Sequence, residues 1–360
     1  MKRASVIVLV TTAALGTAVG VVGWQALGYP DRAPKGPVRE AKLVIEKGTT
    51  LGEIARRLGQ AGIIERPSWF RFYASERGLA QKIRAGQYQL SSTLTPRQVL
   101  DKLVEGVPVE EVAVTVPEGK NLVQIAELFD EAGVTSKTEL ERAARDKELA
   151  KSLGVPGETL EGYLFPDTYK FQRGTPASKV ASTMVKRAQR VYAELKEKHK
   201  TGFAALGKTY KFGDREVVLM ASLVEKETGQ GEERPRIAGV FLNRLRLPTF
   251  VPHLLQTDPT IIYGCTIPVV KSEACKRFEG RIRRIHLEDK ENPYNTYTHE
   301  GLPPGPISNP GRAALEAVLA PDATPYLYFV SKNDGTHYFS KTRAEHEAAV
   351  DKYQRHGGGG

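Results

Sequence analysis

Val217-Val218-Leu219-Met220-Ala221-Ser222-Leu223-Val224-Glu225-Lys226-Glu227-Thr228 reads as a buried helix that ends on a carboxylate. At about 100° per residue, Met220, Leu223, Val224 and Glu227 fall on one stripe, so Glu227 continues a line of apolar side chains. Glu225 points nearly the other way, toward Val218 and Ala221. An acid at the end of an apolar stripe is poorly hydrated, and poor hydration pushes a carboxyl above its ordinary range. A general acid working near neutral pH needs that property. The plainer reading is a helix-end Glu paired with a nearby Arg, and this stretch alone leaves both open.

The start of the chain sets its expected address. Residues 1–3 are basic after Met1, and Ala4 to Leu27 then hold no charged residue over 24 positions. As a helix they span about 36 Å, against a bilayer core of about 30 Å. Lys2 and Arg3 keep the short N-terminus in the cytoplasm. The expectation is a single-pass anchor at 4–27 in the inner (cytoplasmic) membrane, with the rest facing the periplasm or extracytoplasmic space. Trp24 suits an interfacial anchor, and the run exceeds the core of a signal peptide; the competing reading is a cleaved signal with Ala26-Leu27-Gly28 as its exit. Residues 28–40, with Pro30, Pro34 and Pro37, read as a linker.

The 360 residues are too many for one small core and predict two or three units. A net charge of +10 is compatible with nucleic acid. A chain beyond the membrane meets no genome, so anionic envelope polymers and lipid headgroups are the expected partners instead. The two cysteines, Cys265 and Cys275, lack zinc spacing, which argues against a metal or other cofactor. In an oxidising compartment they close a small disulfide loop or stay as two thiols. Residues 356–360, rich in glycine, read as a disordered tail.

The fold class expected is α+β, in two parts. In residues 41–106, Leu43-Val44-Ile45 reads as a strand. A helix follows on Leu51, Ile54, Ala55 and Leu58, capped by Thr49 or Thr50. Trp69, Phe70, Phe72 and Tyr73 suit either core or sugar stacking. A strand at 86–90 and a helix from Thr95-Pro96 complete the unit. In residues 107–355, a strand at 112–116 precedes helices at about 122–132 and 138–153. Leu160 to Tyr169 reads equally as a loop lining a cleft or as a hydrophobic plug. A long helix turns Val180, Met184, Ala188, Val191 and Leu195 inward, and another spans 235–247. Tyr326 to Val330 is expected as a buried strand, in a hairpin with Tyr338-Phe339 across Asn333-Asp334-Gly335.

Several motifs resemble known families. Gly-Thr-Thr-Leu-Gly-Glu-Ile-Ala-Arg-Arg-Leu at 48–58 resembles the opening of a LysM module, which docks on peptidoglycan sugars. Glu-Gly-Tyr-Leu-Phe-Pro-Asp-Thr-Tyr at 161–169 resembles a signature of the endolytic murein transglycosylases, the MltG or YceG-like family. Ala-Ser-Leu-Val-Glu-Lys-Glu-Thr at 221–228, Gly-Val-Phe-Leu-Asn-Arg-Leu at 239–245 and Leu-Gln-Thr-Asp-Pro-Thr-Ile-Ile-Tyr-Gly at 255–264 continue the match. Tyr-Asn-Thr-Tyr at 294–297, Gly-Leu-Pro-Pro-Gly-Pro-Ile at 301–307 and Thr-Pro-Tyr-Leu-Tyr-Phe-Val at 324–330 close it. Two stretches depart from the pattern: 247–255 is longer than usual, and 265–292 has no counterpart. Both are expected to reshape the cleft rim.

The resemblance implies a membrane-anchored lyase that acts on peptidoglycan glycan strands, with peptidoglycan synthases as a candidate partner class. The family's single catalytic acid falls in Glu-Lys-Glu-Thr, and the helical stripe assigns it to Glu227. Gln256, Thr257, Asp258, Tyr294, Asn295, Thr296 and Tyr297 are candidates for substrate binding. Each has a structural alternative: Asp258-Pro259 as a helix cap, the tyrosines as core, Asn295 as a loop fastener. Asn243 and Arg244 are expected to brace the catalytic helix. Two further classes stay open, a lysozyme-type muramidase using Glu227 with Asp258 and a non-catalytic wall-binding scaffold.

Overall fold

A computed structural model describes residues 28–107 and 111–355. The expected anchor at 4–27 and the tail at 356–360 lie outside the described residues. Among those described, no helix is long and apolar enough to cross a membrane. The chain divides into two units after Val109, and both mix helices with short antiparallel strand pairs.

In the first unit β1 (Glu40–Ile45) pairs antiparallel with β2 (Gly86–Ser91), Leu43 lying opposite Tyr88. Alternation puts Leu43, Ile45, Tyr88 and Leu90 on the buried face. Between the strands run α1 (Leu51–Gln60), capped by Thr50, and α2 (Pro67–Glu76). Helix α3 (Pro96–Glu105) follows, with a capping box between Thr95 and Gln98. Phe70 is fully buried and Trp69 and Tyr73 pack against the core, whereas Phe72 is 65% exposed. The cluster is therefore core except for Phe72. Part of the expected linker is core too. Tyr29 packs edge-on against Trp69 and donates to the Arg66 carbonyl, and Asp31 accepts two bonds from Arg97. An aromatic ring beside prolines finds apolar company here, which linker composition does not reveal.

In the second unit β3 (Glu111–Thr115) pairs antiparallel with β4 (Thr168–Gln172). Helices α4 (Leu122–Glu131), α5 (Lys137–Ala144) and α6 (Lys147–Ser152) lie between them. The single helix expected at 138–153 breaks because the Asp146 side chain caps a new start. The Leu160–Tyr169 stretch is a plug: Leu160, Glu161, Leu164 and Phe165 are all buried. Gly162 turns it at φ +88, where a Cβ would strike Pro306 and Val218.

Helix α7 (Ala177–Lys198) buries Val180, Met184, Ala188, Val191 and Leu195 and leads into α8 (Lys200–Tyr210). Helix α9 (Asp214–Glu227) is the centre. Every residue from Val217 to Val224 is buried, as a helix apolar on all sides must be. Around α9 pack α10 (Arg234–Arg246), α11 (Asp258–Thr266) and α12 (Arg312–Leu319). A last hairpin pairs β5 (Tyr328–Ser331) with β6 (His337–Ser340), and Asn333 and Gly335 take positive φ in its turn. Its inner face is half-buried, with Val330 fully so. Helix α13 (Arg343–Val350) packs on the hairpin.

Cys265, in α11, is disulfide-bonded to Cys275. With Ile261 they form a small cluster of their own, against which Phe278, Ile282, Leu287 and Tyr297 pack. The segment with no recognised pattern is thus a disulfide-closed module tied to Tyr297.

Candidate active site

The two acids at the end of α9 have different fates. The Glu225 side chain is 4% exposed and pairs with Arg234 at 2.9 Å, while its other oxygen accepts the Gly311 N–H at 2.9 Å. The plain reading, an acid held by an arginine, describes Glu225. Glu227, the last residue of the helix, lines a cleft of about 780 Å³. Its side chain is partly buried, and the Thr257 hydroxyl donates to its Oε1.

Burial pushes the Glu227 carboxyl above the ordinary range. The Thr257 bond pulls the other way; the Asp258 charge adds to the rise, and Arg244 and His337 oppose it. The C-terminal end of a helix carries partial negative charge, which also disfavours a carboxylate there. A group so placed keeps its proton nearer to neutrality than a free Glu and still has a donor ready for its ionised form.

The wall opposite comes from the 255–258 loop. Gln256 lines the cleft in a left-handed turn, its backbone N–H held by the Thr296 carbonyl. Thr257 is buried, fixed by its N–H to Thr296 Oγ1 at 3.0 Å. Asp258 lines the cleft and accepts the Tyr297 hydroxyl at 2.7 Å. Burial and the neighbouring Asp258 raise the Tyr297 phenol far above its usual range, so it stays a donor.

The other expected site residues do not reach this cleft. Thr296 is buried beneath the wall, bonded to Thr257 and Thr260. Asn295 is fully buried and donates to the carbonyls of His286, Leu287 and Asp289, so it fastens a loop. Tyr294 packs on Tyr263 at 4.9 Å and lines a separate hollow of about 540 Å³ with Glu161 and Tyr163. The Tyr-Asn-Thr-Tyr run therefore gives one side chain, Tyr297, to the cleft. Its turn carries the other three away.

The brace expected of Asn243 and Arg244 has other targets than α9. Asn243 holds the carbonyls of Thr324 and Tyr326, leading into β5. Arg244, 5% exposed, donates to the carbonyls of Leu327 and Leu255 and so joins two cleft walls. Rings of Phe250, Tyr328 and Phe329 surround it. Burial lowers its guanidinium to about 10, with Glu227 acting against the drop, so it stays charged at neutral pH.

Sequence reasoning missed the β5–β6 and α13 side of the cleft, which brings Tyr328, His337, Arg343 and His346. These lie more than 100 residues from Glu227, beyond the reach of local spacing. The longer 247–255 connection places Phe250, Val251 and Pro252 on the rim. Among the described residues no group of three or more His, Cys, Asp or Glu side chains is arranged to hold a metal ion.

An acid at the end of a buried helix, facing a hydroxyl-bearing loop across a polar cleft, is the site of an α+β protein built for proton transfer. The chain belongs to the YceG-like family, whose model matches residues 43–352. It is similar to the endolytic murein transglycosylase of Bacillus subtilis, 33% identical over 327 residues that cover 86% of this chain and 83% of that protein. It is 29% identical over 347 residues to the endolytic murein transglycosylase of Streptococcus pneumoniae, covering 86% of this chain and 57% of that longer protein. Among solved structures, a YceG-like protein from Listeria monocytogenes matches with a TM-score of 0.54 at 31% identity, over 87% of this chain and 100% of that one.

Proposed function

We propose that this chain is an endolytic peptidoglycan lytic transglycosylase, a lyase that cleaves the bond between N-acetylmuramic acid and N-acetylglucosamine within glycan strands. Glu227 protonates the leaving oxygen. Its carboxylate then takes the proton of the muramic acid 6-hydroxyl as that oxygen bonds to the anomeric carbon. The product is a 1,6-anhydro end, and no water is consumed. The observation that carries this reading is the position of Glu227, an acid raised by burial yet open to a cleft and met by the Thr257 hydroxyl. One group serves as acid and then base, so the carboxyl must sit between the two demands. General acid–base help supplies about 10²–10⁴-fold, and the polar walls must supply the rest.

A second reading draws on one observation. Asp258 lines the same cleft, and a pair of carboxylates is what a hydrolase employs. Its bond from Tyr297 and the names of the relatives favour the lyase.

The finer parts of the proposal have their own supports. The order β1, α1, α2, β2 and the Gly48–Leu58 motif favour a LysM-like sugar-binding unit at 41–106. The charge-free run at 4–27 favours an inner-membrane anchor that holds the enzyme where new strands emerge. Cutting there limits strand elongation and places peptidoglycan synthases nearby. The test is release of soluble fragments from purified sacculi by the full chain in lipid. Loss of release in Glu227→Gln supports the assignment, and undiminished release overturns it.

A further inference from the structure

Beside the cleft lies a pair of largely buried groups that the acid–base cycle does not use, of which His337 lines it. Glu233, just after α9, grips His337 of β6 twice. One oxygen accepts the His337 backbone N–H at 2.9 Å and the other meets ring Nδ1 at 2.7 Å. Both side chains are largely buried, at 13% and 12% exposure, so this is no ordinary surface ion pair. The same carboxylate accepts the hydroxyl of Thr228, the residue that follows Glu227, at 3.4 Å. Burial would raise the Glu233 carboxyl, yet the bonds from His337 outweigh it and hold the group below the ordinary range. Glu233 is therefore an acceptor, and Nδ1 carries the hydrogen between them. Nε2 has no hydrogen-bond partner among the described residues, and the ring lines the cleft beside Glu227.

We propose that Glu233 and His337 form a positioning pair for Glu227. The carboxylate of Glu233 ties the residue after the acid to the β6 wall, which fixes where helix α9 ends and where its last side chain points. The imidazole that it orients faces Glu227 from the hairpin. Asp258 of α11 and Arg244 of α10 also act on Glu227, with the neutral Thr257 hydroxyl beside them, and Arg343, His346 and Glu347 of α13 line the same cleft. Around His337 itself stand Glu233 and the rings of Phe329 and Phe339. A protonated imidazole favours the carboxylate form of Glu227. Removing it leaves Glu227 holding its proton to higher pH.

The inference rests on Glu227 being the acid, but its test does not need activity. The carboxyl band of Glu227 is identified by infrared difference against Glu227→Gln and followed with pH. It is compared in wild type, His337→Gln and Glu233→Gln, with circular dichroism as the check on folding. The expected result is that the protonated band persists to higher pH in both folded variants. Turnover on glycan strands should then fall about ten-fold with KM changed by no more than about two-fold, the pattern of a lost effect on chemistry rather than binding. An unchanged Glu227 titration in either folded variant overturns the proposal. So does a loss of turnover that merely tracks a loss of thermal stability. A shifted band in a protein that cuts no glycan upholds the pair and removes the transglycosylase reading.

Discussion

Arg234 donates to Glu225 across 2.9 Å, and that pair leaves Glu227 as the acid of the last α9 turn that opens on the cleft. The two glutamates are two positions apart, so a rigid helix sends them in different directions. One is neutralised within the fold and the other is presented to it.

The first prediction follows from that pair. Arg234→Ala strands a buried carboxylate, whose loss of partner costs about 3–5 kcal/mol. Glu118, at 3.7 Å from Arg234, also loses its cation. Denaturant unfolding should show the loss, while turnover per folded molecule stays within a few-fold. A variant of full stability would mean the pair does not hold α9 in place.

Thr257 supplies the donor to Glu227, so Thr257→Val removes a charge-assisted bond at nearly constant shape. That bond favours the carboxylate; without it Glu227 keeps its proton to higher pH. The alkaline limb of kcat/KM, where the acid form is lost, should move upward. A bond to a charged group contributes about 1.5–3 kcal/mol, so turnover should fall about ten-fold or more. An unmoved limb would show that the hydroxyl does not touch the working carboxyl.

Glu161 bears on stability rather than catalysis. It is 2% exposed, and burial pushes its carboxyl from 4.5 up to about 7, against bonds from the Leu122 N–H, Tyr263 and Asn309. A raised acid stabilises the fold most below its unfolded value, and that contribution is lost as pH rises through the folded value. The window is therefore about pH 4.5 to 7. The span corresponds to about 3–4 kcal/mol. Glu161→Gln should flatten the fall in melting temperature across that window, read by calorimetry in a pH series. An equal slope in both proteins would contradict it.

The Cys265–Cys275 bond closes ten residues of chain. In the chain-entropy account such a loop contributes about 2–3 kcal/mol. Cys275→Ser should lower stability by that order and loosen the 265–292 segment, seen as faster amide exchange there. Tyr297 packs against this cluster, so KM for glycan should rise modestly while kcat holds. Unaltered exchange would show that the segment is held by its other contacts.

How far the sequence carried can be judged from particular residues. The long helix over 177–198, the late hairpin and the buried run at 217–224 followed from periodicity and turn chemistry, because local spacing decides them. Periodicity also separated Glu227 from Glu225, since the stripe of Met220, Leu223 and Val224 runs on to Glu227. What spacing could not show is the partner of each: Arg234 and the Gly311 N–H take Glu225, and the Thr257 hydroxyl meets Glu227. Asn295 and Thr296 stand beside Tyr297 in sequence yet turn into the fold, because their neighbours' carbonyls and hydroxyls needed partners. His337 and Arg244 enter the cleft, and Glu233 meets His337, through long-range packing, which no short window records. For Leu160–Tyr169 the sequence left a cleft loop and a buried plug equal, since the partners that decide it, Pro306 and Asn309, lie more than 140 residues further on.

The most direct measurement is mass spectrometry of glycan ends released by the full chain from purified strands, for wild type and Glu227→Gln. The proton cycle at Glu227 predicts 1,6-anhydro ends from wild type, lighter by one water than reducing ends, and none from the variant. Reducing ends from wild type, or anhydro ends from Glu227→Gln, would contradict it.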